Sequence, residues 1–328
     1  MMKKTLTITV PSYNVERYLP ETIPTLFQPE IIDELEILIV NDGSTDSTAE
    51  IANQLHEQYP DSVFVINKEN GGHGSTLNTG IQRATGSYFR VIDGDDWVDP
   101  QAFVAYVRAL RDLSADLVIT PFNYVYINTG RTEKQSFDSV EPSKIYRFDD
   151  IINQLGMNYS IHSATYRTEL IKQIPPISEH CFYVDVEYIS YAVPLVESVA
   201  ILKDVVYQYR MGEAGQSVSR NSKIKNRAMH KHVTNQILRF YEETDTSQAK
   251  RTWLRNRCAE LIRFQLNVYL SMPVCGETKG ELLAFSGDMK KRCPDLYKDV
   301  PGKAIQILKK TDNRGYVLAA LLWRLKNN

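Results

Sequence analysis

The chain has 328 residues, of which 43% are hydrophobic and 24% are charged, so it can form one large or two ordinary domains around a buried core. Its formal net charge of −2 argues against a dedicated nucleic-acid-binding protein, which would be clearly basic. The four cysteines form no C-x-x-C pair, the N-terminus lacks a signal-peptide pattern, and the longest apolar stretch is far shorter than the ~20 residues that span a bilayer, so we expect a cytoplasmic protein.

The first 120 residues alternate short β-type segments with helical patterns, which predicts β-α-β units and a largely parallel sheet. The predicted strands are residues 5–10, 35–40, 62–67, 87–92 and 116–120. Crossover helices are predicted at residues 46–59, 75–84 and 100–113. Ser44 and Thr45 indicate the start of the first helix, and Asp99 and Pro100 serve as N-cap and first residue of the third. Residues 128–131 are typical of a hairpin turn.

Polar or glycine-rich segments follow four of these strands, at residues 11–14, 41–44, 68–72 and 93–96. Ligands of open parallel sheets bind at the carboxyl ends of strands, so we expect one ligand to contact all four segments. The glycines of residues 71–74 fit neither a phosphate loop nor a dinucleotide fingerprint, because no G-K-[ST] follows and Leu77 replaces the last glycine. We expect them to let the backbone approach a ligand, with a sharp turn as the alternative.

The segment Asp93-Gly94-Asp95-Asp96 carries three carboxylates in four residues, directly after a predicted strand. Such charges repel one another unless a cation joins them. Crowded carboxylate oxygens suit a hard divalent cation that keeps further positions for substrate phosphates. We therefore expect a metal-bound diphosphate here, and a solvated acidic turn is the alternative.

Asp185 is a carboxylate among large apolar and aromatic side chains in residues 181–188. These surroundings disfavour the charged form and can raise a carboxyl pKa toward the range that suits a general base. The alternative role is the N-cap of a helix over residues 186–196. Both roles are compatible.

From about residue 223 the pattern becomes helical, and we place a domain boundary near residue 215. Residues 301–328 contain six basic residues and one acidic residue. The apolar stripe predicted within them consists of Tyr316, Leu318, Ala319, Leu322 and Trp323. This combination is typical of an interfacial helix on an anionic membrane surface. The alternative is a helix that packs its apolar side on the first domain.

Four segments, in order, resemble motifs of the family 2 glycosyltransferases with the GT-A fold. Residues 10–14 resemble the opening V-P-x-Y-N, and residues 40–46 resemble V-[DN]-D-G-S-x-D. Residues 69–81 resemble N-x-G…N-x-G-I, and residues 93–96 resemble the D-x-D-D metal motif. Each motif alone is weak, whereas four in register over 100 residues are specific. A looser likeness extends to residues 182–185 and 207–210, about two thirds of the chain.

The resemblance implies an α/β fold, with a Rossmann-like GT-A nucleotide-sugar-binding domain over residues 1–215 and a helical C-terminal extension over residues 216–328. It implies a bacterial-type enzyme of polysaccharide or glycoconjugate biosynthesis. The expected reaction transfers a sugar, with inversion, from a nucleotide-diphosphate donor to a hydroxyl of a glycan or lipid-linked acceptor. The expected donor is a UDP-sugar. The expected location is cytoplasmic, at the inner face of a membrane.

By the same resemblance, Pro11, Tyr13 and Asp42 hold the nucleotide base and ribose. Asp93 and Asp95 bind Mn²⁺ or Mg²⁺ and the sugar diphosphate, and Asp96 shares the metal. The full expected donor site is Pro11, Tyr13, Asn14, Asp42, Asn70, Gly71, Asp93 and Gly94. Asp185 is the expected base. The family commonly has Glu before that aspartate, where this chain has Val184, so Glu187 is the alternative base.

Two other functions remain open at this point. One is a non-catalytic sugar-nucleotide-binding or scaffold protein, which the intact acidic motif disfavours. The other is a sugar-phosphate nucleotidylyltransferase, which would need a basic glycine-rich loop after the first strand. Residues 11–14 supply neither lysine nor arginine for such a loop.

Overall fold

The computed structural model describes residues 4–142, 144–157, 159–212 and 219–327. The chain divides into two compact units, Met1–Ala214 and Gly215–Asn328. The boundary that we predicted near residue 215 lies outside the described residues.

The strands all belong to the first unit. In chain order they are β1 (Leu6–Ser12), β2 (Leu35–Asp42), β3 (Val63–Lys68), β4 (Tyr88–Val91), β5 (Trp97–Val98), β6 (Leu117–Ile119), β7 (Phe122–Tyr126), β8 (Arg131–Gln135), β9 (Ile145–Arg147), β10 (Ala164–Arg167), β11 (Ser198–Ile201) and β12 (Tyr207–Met211). The five predicted strands correspond to β1, β2, β3, β4 and β6. Strands β7 and β8 pair antiparallel around the predicted turn, so that hairpin is confirmed.

Eight strands form the central sheet in the order β3-β2-β1-β4-β10-β6-β11-β9. Strands β1, β2, β3 and β4 are mutually parallel, whereas β10 runs antiparallel between β4 and β6. The sheet is therefore mostly parallel, as predicted. A smaller sheet has the order β5-β12-β7-β8. Its strand β12 lies beside β5, and β5 directly follows the acidic segment in the chain.

Helices of the first unit cover the central sheet. They are α1 (Leu19–Thr22), α2 (Thr48–Gln58), α3 (His73–Arg83), α4 (Pro100–Asp112), α5 (Phe148–Leu155), α6 (Thr168–Ile171) and α7 (Asp185–Ala192), with short 3-10 turns at Ile23–Leu26, Ile32–Glu34 and Val193–Leu195. The buried side of α4 consists of Phe103, Tyr106, Val107 and Leu110, at helical spacing. The Asp99 carboxylate accepts a hydrogen bond from the Ala102 amide at 2.9 Å, which confirms the predicted N-cap.

Two predicted helix starts are wrong. Helix α2 begins at Thr48, because Ser44 and Thr45 hydrogen-bond to Asn14 instead of capping the helix. At α7, the cap position is Val184 and Asp185 is the first helical residue, so Asp185 is not the N-cap. The error at α2 arose because a polar residue before a helix can bond to a neighbouring loop as readily as to the helix itself. Helix α7 begins one residue earlier than predicted, so Asp185 lies within it.

The described part of the second unit contains helices and no strand, as the sequence predicted. These are α8 (Arg220–Lys225), α9 (Arg227–Glu243), α10 (Gln248–Ser271), α11 (Gly276–Arg292), α12 (Pro294–Asp299), α13 (Lys303–Lys310) and α14 (Tyr316–Asn327). Trp253, Ile262 and Leu266 contribute to the buried side of α10. Among the described helices, none combines the length and the apolar character needed to cross a bilayer.

Helix α14 exposes a different face from the predicted stripe. Tyr316 and Ala319 are buried, so they cannot line a surface. The exposed large apolar side chains are Val317, Leu318, Leu321, Leu322 and Leu325. The predicted stripe was therefore right for Leu318 and Leu322 and wrong for Tyr316 and Ala319, because a helix with apolar residues on most of its circumference does not reveal which side packs inward.

Candidate functional site

The loops at the carboxyl ends of β1, β2, β3 and β4 are joined by hydrogen bonds. The Gly94 amide donates to the Pro11 carbonyl at 3.1 Å. The Asn14 amide donates to Ser44 Oγ at 3.0 Å, and the Thr45 amide donates to Asn14 Oδ1 at 2.9 Å. These bonds bring the predicted segments to one edge of the sheet. Tyr13 projects there with 52% of its surface exposed.

Asp42 links the loops after β2 and β3. Its Oδ1 accepts hydrogen bonds from Lys68 Nζ and the Gly71 amide, both at 2.9 Å, and its Oδ2 accepts one from the Gly72 amide at 2.8 Å. Burial alone would raise the pKa of this carboxyl, but the bonds from Gly71 and Lys68 hold the pKa below its usual value. Asn70 Nδ2 donates to the Asp42 carbonyl at 3.0 Å. Both carboxylate oxygens of Asp42 thus have protein donors.

The glycines after β3 allow two parts of the chain to pack closely. A Cβ on Gly74 would lie 2.0 Å from the Ser178 carbonyl oxygen, and one on Gly72 would lie 3.2 Å from the His180 backbone. Gly72 also has a φ of +78°, which favours glycine. Our prediction of close approach to a ligand is therefore corrected in part, because the partner at these two positions is the segment that leads to Asp185.

The acidic segment turns back on strand β12. Asp96 is 1% exposed, and its carboxylate accepts hydrogen bonds from Tyr207 Oη at 2.6 Å and from the Arg210 amide at 2.7 Å. Burial and the charges of Asp95 and Asp93 raise the pKa of Asp96 well above its usual value. Burial and the charge of Asp93 raise the pKa of Asp95 to about 6. The carboxylates therefore repel one another, as the sequence indicated.

His73 forms an ion pair with the acidic segment. Its Nε2 lies 3.0 Å from Asp93 Oδ1. Burial lowers the pKa of His73, but the charge of Asp93 and the hydrogen bond to it, together with the charges of Asp185 and Asp95, raise that pKa above its usual value. The negative charge of Asp185 contributes in the same direction. Asp185 therefore lies within electrostatic range of the acidic segment.

His162 also lies at this segment, and the sequence analysis missed it. Ligand atoms of Asp93, Asp96 and His162 lie within 4.8 Å of one another, whereas Asp95 is not part of this group. His162 lies in the turn before β10, and β10 pairs antiparallel with β4, the strand that leads into Asp93. No local motif marks His162, so only this pairing of distant strands could have identified it.

Asp185 and Glu187 have different surroundings. Asp185 is partly exposed at the start of α7. Glu187 is fully buried, and its carboxylate accepts hydrogen bonds from the Ser178 amide at 2.7 Å and from Ser178 Oγ at 2.9 Å. Glu187 therefore fixes the loop that packs on Gly74. Of the two, Asp185 is the carboxylate that a substrate can reach.

Sequence and structure comparisons identify related proteins. The profile described as Glycosyl transferase family 2 matches residues 7–175, just over half of the chain. An uncharacterized glycosyltransferase of Mycoplasma pneumoniae is 31% identical over 206 residues, which cover 60% of this chain and 64% of the relative. About a third of that relative therefore lies outside the match.

Two solved structures are similar in fold. Residues 1–349 of Staphylococcus aureus TarS, in complex with UDP-GlcNAc, match with a TM-score of 0.69 and 20% identity over 98% of this chain and 92% of that TarS fragment. The mannosyltransferase PcManGT of Pyrobaculum calidifontis, in complex with GDP-Man and Mn²⁺, matches with a TM-score of 0.54 and 16% identity over 100% of this chain and 89% of that one. The predicted GT-A fold is confirmed by this likeness.

Proposed function

The chain belongs to glycosyl transferase family 2, and on this premise we propose that it transfers a sugar from a UDP-linked donor to a hydroxyl of a glycan or lipid-linked acceptor. One observation carries the proposal. The strand-end loops, which include the acidic segment, lie with Asp185 at one edge of the sheet. This edge is where α/β sheets bind nucleotides. UDP is favoured because TarS binds UDP-GlcNAc. The acceptor class rests on the resemblance, which also favours a bacterial glycan pathway.

We propose that the donor binds along the joined loops. The exposed ring of Tyr13, with Pro11 and Asn14 beside it, is suited to stack on and border the nucleotide base. Asp42 and Asn70 hold the loop around Gly71 to the end of β2. The Asp42 carboxylate accepts a hydrogen bond from the Gly71 amide, and the Asn70 side chain donates one to the Asp42 carbonyl. Gly94 and Asp93 then face the diphosphate. The donor residues expected from the sequence thus keep their proposed roles, with Asp42 acting in part through the loop that it holds.

A divalent cation fits the acidic segment. Asp93, Asp95 and Asp96 supply oxygen ligands. Burial and the charges of the neighbouring carboxylates raise the pKa values of Asp95 and Asp96, and a cation would offset both effects. Mn²⁺ or Mg²⁺ held there would offset the charge that develops on the departing diphosphate. The protein's own contribution is to hold the carboxylates in place, through Tyr207 and Arg210.

We propose Asp185 as the general base. Its carboxylate accepts the proton of the acceptor hydroxyl while the hydroxyl oxygen forms a bond to the anomeric carbon. The bond between that carbon and the diphosphate oxygen breaks on the opposite face, so UDP leaves and the anomeric configuration is inverted. The chain needs no covalent intermediate for this reaction.

Donor turnover tests the proposal. Thermal-shift screening with UDP- and GDP-sugars in the presence of Mn²⁺ identifies the donor, since a ligand that binds the native state raises its apparent stability. Release of the nucleoside diphosphate is then measured with glycan and lipid-linked acceptors, with and without EDTA. We expect acceptor-dependent UDP release that EDTA abolishes. Binding without turnover would instead identify a non-catalytic sugar-nucleotide-binding protein, and pyrophosphate release from UTP and a sugar phosphate would identify a nucleotidylyltransferase.

We further propose that helix α14 brings the protein to the inner face of a membrane. Its five exposed apolar residues are spaced by one and three positions, which places them on one side of the helix. The exposed basic residue Arg314 precedes the helix, and the exposed Lys326 lies in its last turn. An apolar surface bordered by basic residues complements anionic lipid headgroups. This contact would deliver the protein to a lipid-linked acceptor.

A further inference from the structure

We infer that His162 is a nitrogen ligand of the metal, completing a site with Asp93 and Asp96 that favours Mn²⁺ or Co²⁺ over Mg²⁺. The inference deepens the proposed function, because it rests on the same acidic segment as the donor site. It also corrects the ligand set expected from the sequence, which consisted of oxygen atoms alone. Asp95 contributes to the charge of the segment but lies outside this group of three.

The geometry of the three side chains supports a shared ion. One ligand atom from each of Asp93, Asp96 and His162 lies within 4.8 Å of the other two. Two atoms that each lie roughly 2.0–2.2 Å from a common ion are at most about 4.4 Å apart, which is slightly closer than the 4.8 Å bound on these three atoms. The three residues come from two segments, which flank the adjacent ends of the paired strands β10 and β4. The cluster therefore combines an imidazole with carboxylates, which a solvated acidic turn would not require.

The imidazole ring is held without using its nitrogens. Its centroid lies 4.2 Å from that of Tyr209 in a stacked arrangement and 5.1 Å from that of Tyr207. Within the described part of the chain, neither ring nitrogen of His162 takes part in a hydrogen bond. A half-buried imidazole with no such partner beside two carboxylates retains the lone pair that a metal needs.

Arg90 holds the backbone of His162 in place through a hydrogen bond. Its guanidinium is fully buried and donates a hydrogen bond to the His162 carbonyl oxygen at 2.7 Å. It also donates to Thr120 Oγ1 and to Thr165 Oγ1. Metal ligands are commonly oriented by such supporting hydrogen bonds and packing. Arg90 is therefore a positioning residue, because it acts on the site through His162.

His73 provides the contrast. It is the second histidine near Asp93, but its Nε2 already lies 3.0 Å from Asp93 Oδ1 and it is not in the group of three. Replacement of His162 should therefore remove a metal ligand, whereas replacement of His73 should not. An imidazole nitrogen ligand also changes metal preference, because Mg²⁺ favours oxygen ligands whereas later divalent metals accept nitrogen more readily.

Pulsed electron paramagnetic resonance of bound Mn²⁺ tests this inference without any sugar donor. The full chain is loaded with Mn²⁺ alone, with natural-abundance or ¹⁵N-labelled histidine, and the nitrogen coupling to the metal is recorded. We expect a histidine nitrogen coupling in the wild type that persists in His73→Gln and disappears in His162→Phe. Phenylalanine keeps a stackable ring without a ligand atom. We also expect the preference for Mn²⁺ over Mg²⁺, from competition titrations, to fall about tenfold in His162→Phe.

Two outcomes overturn the inference: no histidine coupling in the wild type, or a coupling lost in His73→Gln instead. Both are read on proteins that retain His162, so they hold even where His162→Phe fails to fold. Circular dichroism establishes the folding of each variant. An intact coupling in a protein that transfers no sugar would refute the proposed function alone. Acceptor-dependent transfer by a protein that shows no nitrogen coupling would refute the inference alone.

Discussion

At the scale of single residues, the carboxylates near the sheet edge have distinct tasks. Asp42 and Glu187 both accept bonds from backbone amides, at Gly71 and Gly72 and at Ser178 respectively. These bonds hold the loops in place. Asp93 instead lies in an ion pair with His73, and Asp185 is partly exposed. Carboxylates that look alike in the sequence therefore divide into those that hold loops and those that a ligand can reach.

We predict that Asp185→Asn lowers transfer to the acceptor by about 100-fold or more, because an amide cannot accept the hydroxyl proton. Folding and donor affinity should remain close to those of the wild type, since asparagine has nearly the same shape. The measurements are acceptor-dependent UDP release, donor thermal shift and thermal unfolding.

Glu187→Gln is the matched control for Asp185→Asn. It replaces a buried carboxylate that holds the Ser178 loop, so we expect a lower unfolding temperature together with any loss of activity. Near-wild-type transfer by Asp185→Asn, with transfer lost in a stably folded Glu187→Gln, would assign the base to Glu187.

A histidine in the second unit predicts a dependence of stability on pH. His230 is buried on α9, where its Nδ1 lies 2.6 Å from Gln265 Oε1 and its ring stacks on Phe264. Burial lowers the pKa of His230 to about 4, whereas the bond to Gln265 acts in the opposite direction. An unfolded histidine has a pKa of about 6.5 and so binds the proton more readily than the folded one does.

The stabilisation from neutral His230 is therefore complete above about pH 6.5 and is lost as pH falls toward about 4. The change amounts to about 3 kcal/mol in the free energy of unfolding. Urea unfolding at several pH values, compared with His230→Gln, measures it. The wild type should lose more stability than the variant over this interval, and identical pH profiles for the two proteins would contradict the assignment.

At the scale of elements, glycine positions show where helices pack closely. A Cβ on Gly80 of α3 would lie 1.9 Å from Thr9 Oγ1 and 2.6 Å from Thr9 Cβ on β1. On α11, a Cβ added to Gly280 would have no described atom within 4 Å beyond its chain neighbours and the backbone of its own helix. The same substitution should thus have opposite effects on the two helices.

We predict that Gly80→Ala destabilises the first unit by about 1–3 kcal/mol, because the added methyl group forces α3 away from the sheet. Gly280→Ala should stabilise the second unit by up to about 1 kcal/mol, because alanine is the better helix former and fits without contact. Denaturant unfolding followed by circular dichroism measures both. Equal shifts of the same sign would show that α3 does not pack on β1 as described.

At the scale of the whole molecule, the two units present different surfaces. The first unit gathers polar loops at the edge of a sheet, and the second exposes an apolar side of α14. The opposite side of α14, with Tyr316, Ala319 and Ala320, is buried. Deletion of the helix would therefore remove part of the core of the second unit as well as the exposed side. Point substitutions on the exposed side give the cleaner test of membrane contact.

We predict that the full chain floats with vesicles containing phosphatidylglycerol at low salt and is released at high salt, because the Debye length shortens as salt rises. The double variant Leu321→Gln, Leu325→Gln should remain folded and stay unbound. Leu283→Gln, which changes an exposed leucine on α11, is the matched control and should bind like the wild type. Equal flotation of the double variant and the wild type would contradict a role for α14.

The sequence by itself determined the features that depend on neighbouring residues. The five predicted strands, the crossover helices, the helical C-terminal region and the positions of four strand-end motifs all follow from local periodicity and turn chemistry. Because parallel strands end at a common edge, the sequence also predicted that Pro11, Asn14, Asp42 and Asp93 would lie on one side of the sheet. That inference needed the order of strands and no detail of their packing.

Only the tertiary structure decided which side chains meet. His162 reaches Asp93 through the antiparallel pairing of β10 with β4, which no local pattern announces. Glu187 and Ser178 meet in the loop that packs on Gly74, and α14 shows which of its apolar sides is buried. The physical reason is that such contacts join residues far apart in the chain. Their geometry is fixed by how the elements pack and not by the propensities of the residues themselves.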